Sequence, residues 1–160
     1  EEALDKANRE VFKSLEKGGT TCTAAVFLRN RAYIAHVGDS RAYLVKKGEL
    51  EQITTDHSMK QRLVELGQIR ADEKTNAENK LYKALGFREE LEVDTMSRSL
   101  KPKTGILLCS DGLWNHVSDE DILKTIEMSA NPQSACERLV ALANTNGGSD
   151  NITVIYALMR

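Results

Sequence analysis

Thr104-Gly105-Ile106-Leu107-Leu108-Cys109-Ser110-Asp111-Gly112-Leu113-Trp114 and, further along, Gly147-Gly148-Ser149-Asp150-Asn151-Ile152-Thr153-Val154-Ile155-Tyr156 decide how this chain reads. Each joins an apolar run to an aspartate wrapped in small, turn-forming residues. The first run ends on Asp111, and the second opens from Asp150. A strand that ends on an Asp, and an Asp that opens a strand, can bring two carboxylates to one edge of a packed sheet. Carboxylates crowded there repel unless a cation sits between them. An all-oxygen donor set favours a hard ion, Mg²⁺ or Mn²⁺.

The surrounding pattern supplies the sheet. Leu4, Ala7, Val11 and Leu15 recur at helical spacing and Lys17-Gly18-Gly19 is a stop, so residues 1–17 read as a helix. Thr21–Leu28 and Ala32–Val37 read as a hairpin around Arg29-Asn30-Arg31. Arg41–Val45 and Leu50–Thr54 read as another around Lys46-Lys47-Gly48-Glu49. Four short strands in a row predict an antiparallel sheet. Met59, Leu63 and Leu66 share one face of a short helix stopped by Gly67, and residues 68–80 are a polar, exposed segment. Leu91–Ser99 and Gly105–Cys109 are strands on either side of the Lys101-Pro102-Lys103 turn. Ser118 before three acidic residues, and Asn131 before Pro132, start two helices. Ile152–Leu158 is the last strand. Residues 1–160 thus read as one α/β domain of mostly antiparallel strands with flanking helices.

A chain of 160 residues can bury one core, and 41% hydrophobic with 29% charged residues is the composition of a soluble globular protein. Lysines and arginines number 22 against 24 acidic residues, a net charge of −2 that gives no footing for nucleic acid or an anionic membrane. No apolar run approaches the ~20 residues of a membrane-spanning helix. Glu1-Glu2-Ala3 is no signal peptide, and the missing initiator Met points to a piece of a longer chain. Cys22, Cys109 and Cys136 are odd in number and widely spaced, which is neither a disulfide framework nor a zinc pattern. Thiols inside strand runs are expected to be buried and suit a reducing cytoplasm.

Four aspartates share one context, beside a strand and next to Gly, Ser, His or Asn: Asp39, Asp56, Asp111 and Asp150. Any one of them can be a turn former bonding its own backbone. Four in one small domain ask for more. Gly112 lets the backbone approach a ligand closely, and Asn151 can orient the Asp150 carboxylate or a water. Rival chemistries lack their residues. Ser110 is not in a Gly-x-Ser-x-Gly elbow, and Gly18-Gly19-Thr20-Thr21 lacks the ending of a phosphate loop. His36 reads as a core residue, His57 neighbours Asp56, and His116 stands apart from both. Trp114 reads as a packing anchor.

Gly38-Asp39-Ser40-Arg41, Thr55-Asp56-His57-Ser58, Leu85-Gly86 after Tyr82-Lys83-Ala84, Ser110-Asp111-Gly112-Leu113-Trp114 and Gly148-Ser149-Asp150-Asn151-Ile152-Thr153-Val154 together resemble the metal-dependent type 2C Ser/Thr protein phosphatases, in the family's order and near its spacing. Gly19-Thr20-Thr21 fits as well, and the compact form is similar to the bacterial branch. The resemblance implies an α-β-β-α fold, an antiparallel β-sandwich flanked by helices. It implies two Mg²⁺ or Mn²⁺ ions sharing a water that attacks the phosphorus of phosphoserine or phosphothreonine in line, without a phosphoenzyme. Asp111 and Asp150 would be ligands of that pair, and Asp56 with Asp111 would hold a third, weaker ion. No side chain would be catalytic beyond the metal-held water. Asp39 would be a structural turn residue and residues 58–80 a flap. The implied partners are phosphoproteins and a cognate Ser/Thr kinase in cytoplasmic signalling.

The sequence also departs from that pattern. No position in residues 1–20 matches the family's phosphate-binding Arg or its metal-bridging Asp-Gly-(small)-Gly-Gly turn, and Asn76-Ala77-Glu78-Asn79 stands where relatives often carry a His-containing segment. The expectation is therefore a domain lacking its N-terminal strands, with open sheet edges that favour a dimer, loose metal binding and weak or absent turnover alone. The alternative is a pseudophosphatase or regulatory binding module on the same fold.

Overall fold

Gly38 marks the place where the chain leaves one sheet for another. A computed structural model describes residues 2–77 and 80–159. Gly38 has φ +111°, and a Cβ there would strike the Thr21 side chain, so only glycine makes the turn without strain. The sequence predicts one sheet from the first four strands. They divide at this turn instead. Strands β1 (Cys22–Leu28) and β2 (Arg31–Val37) pair in the order β1-β2-β5 with β5 (Asp94–Ser99). Strands β3 (Arg41–Lys46) and β4 (Glu49–Gln52) join the order β4-β3-β6-β7 with β6 (Gly105–Cys109) and β7 (Val154–Leu158). The chain as a whole divides in a similar way, into two compact units: residues 1–26, 33–39 and 55–97, and residues 27–32, 40–54 and 98–160.

The first unit opens with helix α1 (Glu2–Ser14). The predicted apolar stripe is not what anchors it, since Ala7 and Leu15 are exposed. Its buried residue is Asn8. The Asn8 amide donates to the Arg88 and Glu89 carbonyls, both at 3.0 Å, and its oxygen accepts the Gly86 N–H at 2.8 Å. Helix α2 (Met59–Glu65) is capped by Ser58, whose hydroxyl accepts the Gln61 N–H. Leu66, expected on its buried face, is 62% exposed. The neck of the following excursion is closed by two hydrogen bonds, Met59 N–H to the Lys80 carbonyl (2.7 Å) and Tyr82 N–H to the His57 carbonyl (3.0 Å). Of the predicted flap, Glu78 and Asn79 lie outside the described residues.

The second unit is built on three antiparallel pairings: β3 with β4, β3 with β6 and β6 with β7. Alternation along β3 and β6 sends Tyr43, Val45, Leu107 and Cys109 to one face. There they form a core with Leu113, Val117, Ile122, Ile126, Ala135, Leu139 and Ala143. The last five of these belong to helices α4 (Asp119–Glu127) and α5 (Pro132–Thr145), which start where the sequence predicts, on Ser118 and on an Asn131–Ser134 capping box. One element is not foreseen. Asp111–Trp114 forms a single helical turn, α3, directly after β6. Trp114 packs as its sequence context predicts, with the Arg41 guanidinium 3.7 Å from its ring centre. All three cysteines are free; Cys109 is buried and Cys22 half-buried.

Candidate metal centre

The two aspartate turns meet because Ser110 stitches them together. Its N–H donates to the Thr153 carbonyl (3.1 Å) and its hydroxyl to the Asn151 carbonyl (3.0 Å), while the Thr153 N–H donates back to the hydroxyl (3.0 Å). These bonds continue the β6–β7 pairing by one step past Cys109 and Val154. Asp111 is then the first residue of α3, and Asp150 stands four residues before β7 begins rather than opening it. Gly112 supplies the clearance. A Cβ there would fall on the Asn151 carbonyl oxygen, so any side chain would push the turns apart.

The electrostatics follow from this geometry. Burial first, and then the charge of Asp150, raise the Asp111 carboxyl above its ordinary range, against hydrogen bonds from the Gly112 and Asp111 N–H groups. Asp150 is exposed, and one of its oxygens accepts the Asn151 N–H at 2.6 Å. Two carboxylates that repel each other across a turn, with oxygen donors only, suit a hard divalent cation. Mg²⁺ is commonly held by one or two carboxylates with waters completing the shell. Among the described residues no three Asp, Glu, His or Cys side chains form a group that could hold a metal ion.

His116 completes the pair's surroundings. Its Nδ1 lies 2.9 Å from the Gly112 carbonyl and its Nε2 3.0 Å from the Ser149 hydroxyl. Neither His116 nor Ser149 is singled out by the sequence reading. His116 lies two residues past α3, and its ring folds back onto the Gly112 carbonyl four residues earlier.

Asp39, Asp56 and His57 belong to the first unit. Asp39 sits in the turn after β2. Asp56 is buried at 6% exposure. His57 is also buried, and its hydrogen bonds fix its protonation. Nδ1 accepts the Gly38 N–H at 3.0 Å, which leaves the hydrogen on Nε2, 3.2 Å from an Asp94 oxygen. Burial and then the Lys83 charge hold His57 below its ordinary pKa. His36, its ring centre 4.8 Å away, has Nε2 against the Thr55 carbonyl (3.0 Å) and Nδ1 against the Thr23 hydroxyl (2.9 Å). Burial, and then His57, bring His36 down to about 4. At Asp94 burial works to raise the carboxyl, but the Lys83 ammonium at 2.7 Å and the His57 N–H outweigh it and the carboxyl is lowered.

Residues 1–86 and 89–152 match the Protein phosphatase 2C family. The chain is similar to the serine/threonine protein phosphatase PstP of Mycobacterium tuberculosis, 41% identical over 152 residues, which is 94% of this chain and 29% of that protein. It is also similar to the serine/threonine phosphatase stp of Listeria monocytogenes, 37% identical over 160 residues, 95% of this chain and 64% of that one. Among solved structures, the S. agalactiae serine/threonine phosphatase superposes with a TM-score of 0.94 at 30% identity, covering 99% of this chain and 68% of that one. The catalytic domain of PstP, solved with two manganese ions, superposes with a TM-score of 0.87 at 37% identity, covering 99% and 70%. The chain spans from 29% to 65% of the length of the first curated relatives it matches. The family match takes in both aspartate turns and strand β6, and the chain belongs to the protein phosphatase 2C family.

Proposed function

We propose that this chain carries the chemistry of a metal-dependent protein Ser/Thr phosphatase, a hydrolase acting on phosphoserine and phosphothreonine. The observation that carries the reading is the Asp111–Asp150 pair, two carboxylates held together by Ser110 although they repel. Asp111 and Asp150 would hold Mg²⁺ or Mn²⁺, and the relative solved with two manganese ions supports the choice of metal. Asp56 is the proposed ligand of a third ion. Bound there, such ions neutralise phosphoryl charge and acidify a water. The chain's own part is positioning. The Asn151 N–H orients the Asp150 carboxylate, Gly112 keeps the turns close, and α3 aims Asp111.

Cytoplasmic signalling opposite a Ser/Thr kinase is part of the same proposal, supported by the substrate class and by three free thiols. No helix among the described residues is long and apolar enough to cross a membrane. Pairing of copies is supported by the sheet ends: β7 carries exposed Ile155 and Leu158, and β1 exposed Val26, Phe27 and Leu28. Sedimentation that gives a monomer at all concentrations would remove that part.

Release of phosphate from a phosphothreonine peptide in Mn²⁺ tests the reading. The expected result is slow hydrolysis that disappears in Asp111→Ala and in Asp150→Ala. Hydrolysis indifferent to both substitutions would overturn the role of the pair, and absent hydrolysis together with absent Mn²⁺ uptake would favour a regulatory binding module.

A further inference from the structure

We propose that His116 is a positioning residue that sets the distance between the two aspartate turns and so fixes their grip on a divalent cation. The inference rests on the metal reading of Asp111 and Asp150. Gly112 directly follows Asp111, and Ser149 directly precedes Asp150. One imidazole touches both. A carbonyl can only accept, so Nδ1 donates to the Gly112 oxygen at 2.9 Å. Nε2 is thereby left to accept, from the Ser149 hydroxyl at 3.0 Å and more weakly from the Ser149 N–H at 3.4 Å. The ring is rigid, so its two nitrogens act as a spacer of fixed length between the peptide units flanking the two carboxylates.

The spacer is itself held. The Asn146 side-chain amide donates to the His116 carbonyl at 2.8 Å, and Gly147 leaves just enough room for the ring, since a Cβ there would come 3.3 Å from its Cδ2. Ser110 braces the pair on the Asn151 and Thr153 side, and His116 braces it on the Gly112 and Ser149 side. The imidazole bonds to the backbone and a hydroxyl rather than to either carboxylate, so it acts on the ion through the ligands. Groups of this kind change metal affinity by about 10–100-fold when removed.

The test is Mn²⁺ binding to the purified chain, read from the loss of the free-ion electron paramagnetic resonance signal up to the millimolar range, beside the thermal midpoint without metal. His116→Asn keeps a donor for the Gly112 carbonyl and cuts the link to Ser149. It is expected to weaken Mn²⁺ binding about 10-fold or more while the metal-free midpoint stays put. Ser149→Ala should weaken binding in the same direction, and Ser149→Thr, which restores a hydroxyl, should recover it. Mn²⁺ uptake that Asp111→Asn removes, but that His116→Asn and Ser149→Ala leave at wild-type affinity, would overturn the role of His116 alone. Uptake indifferent to Asp111→Asn would overturn the metal reading and this inference with it. If His116→Asn does not fold, the Ser149 pair decides, since it cuts the same link from the exposed side.

Discussion

Gly38 and His57 hold each other twice. The His57 N–H donates to the Gly38 carbonyl at 2.8 Å, and the Gly38 N–H donates to His57 Nδ1 at 3.0 Å. The second bond needs an unprotonated Nδ1, which ties the turn after β2 to the charge state of a buried ring. His57→Ala should cost about 1–3 kcal/mol, because it leaves the Gly38 N–H buried without a partner. Urea unfolding would measure the loss, and a cost below about 0.5 kcal/mol would mean the turn finds another acceptor.

Acid sensitivity should come from the same place. His36 is buried against His57, with the Thr55 carbonyl, Asp94 and Asp56 pulling the other way, and its folded pKa is about 4 against an ordinary 6.5. The folded chain therefore binds fewer protons than the unfolded chain between those values. The contribution is fully present above 6.5, is lost as pH falls toward 4, and changes no further below. His57, also lowered, adds in the same direction. Thermal midpoints measured across this range should fall on acidification, and His36→Gln should make the fall shallower by about one proton. An unchanged slope would show that His36 is charged in the folded state.

Asp111 has the opposite sign. Its folded pKa is raised, so whatever stability it lends is present below its unfolded pKa and lost as pH rises through the folded one. Asp111→Asn should stabilise the metal-free chain at neutral pH by up to about 1 kcal/mol, solvent screening keeping the repulsion small at this half-exposed site. It should also remove Mn²⁺ binding. A substitution that stabilises the fold while destroying its purpose is the usual mark of a functional residue.

Gly112→Ala tests the clearance between the turns. The added methyl would lie on the Asn151 carbonyl oxygen. Backbone must shift to admit it, at about 1–3 kcal/mol, and Mn²⁺ binding should fall with it. Calorimetry with and without metal separates the two effects.

Leu107 is fully buried on β6 in the core shared with α4 and α5. Leu107→Ala should cost about 2–5 kcal/mol, measured by denaturant unfolding. The Asp111 turn hangs from the end of the same strand and the Asp150 turn leads into its neighbour β7, so this loss should appear in metal binding only when the fold itself begins to fail.

The strands and the two long helices of the second unit were legible because pattern and punctuation agree there: a short continuous apolar run in Gly105–Cys109, a cap at Ser118, Asn131-Pro132 before an apolar stripe. Both aspartates of the pair were legible from their turns. Three things were not. The division of four strands between two sheets depends on the Gly38 turn meeting Thr21, which no local pattern records. Asn8 anchors α1 in place of Ala7 and Leu15, because its amide can pair with three backbone groups of the 86–89 loop. His116 stays hidden, since the link between the turns is made through space.

The two hydrogen bonds at the neck of the excursion between Met59 and Lys80 separate its reach from the rest of the fold. Lengthening a loop already closed at its base by half costs only about 0.4 kcal/mol of chain entropy. The region is thus an adjustable appendage: it can grow, shrink or be exchanged for another sequence while His57, fixed just below the neck, keeps its place.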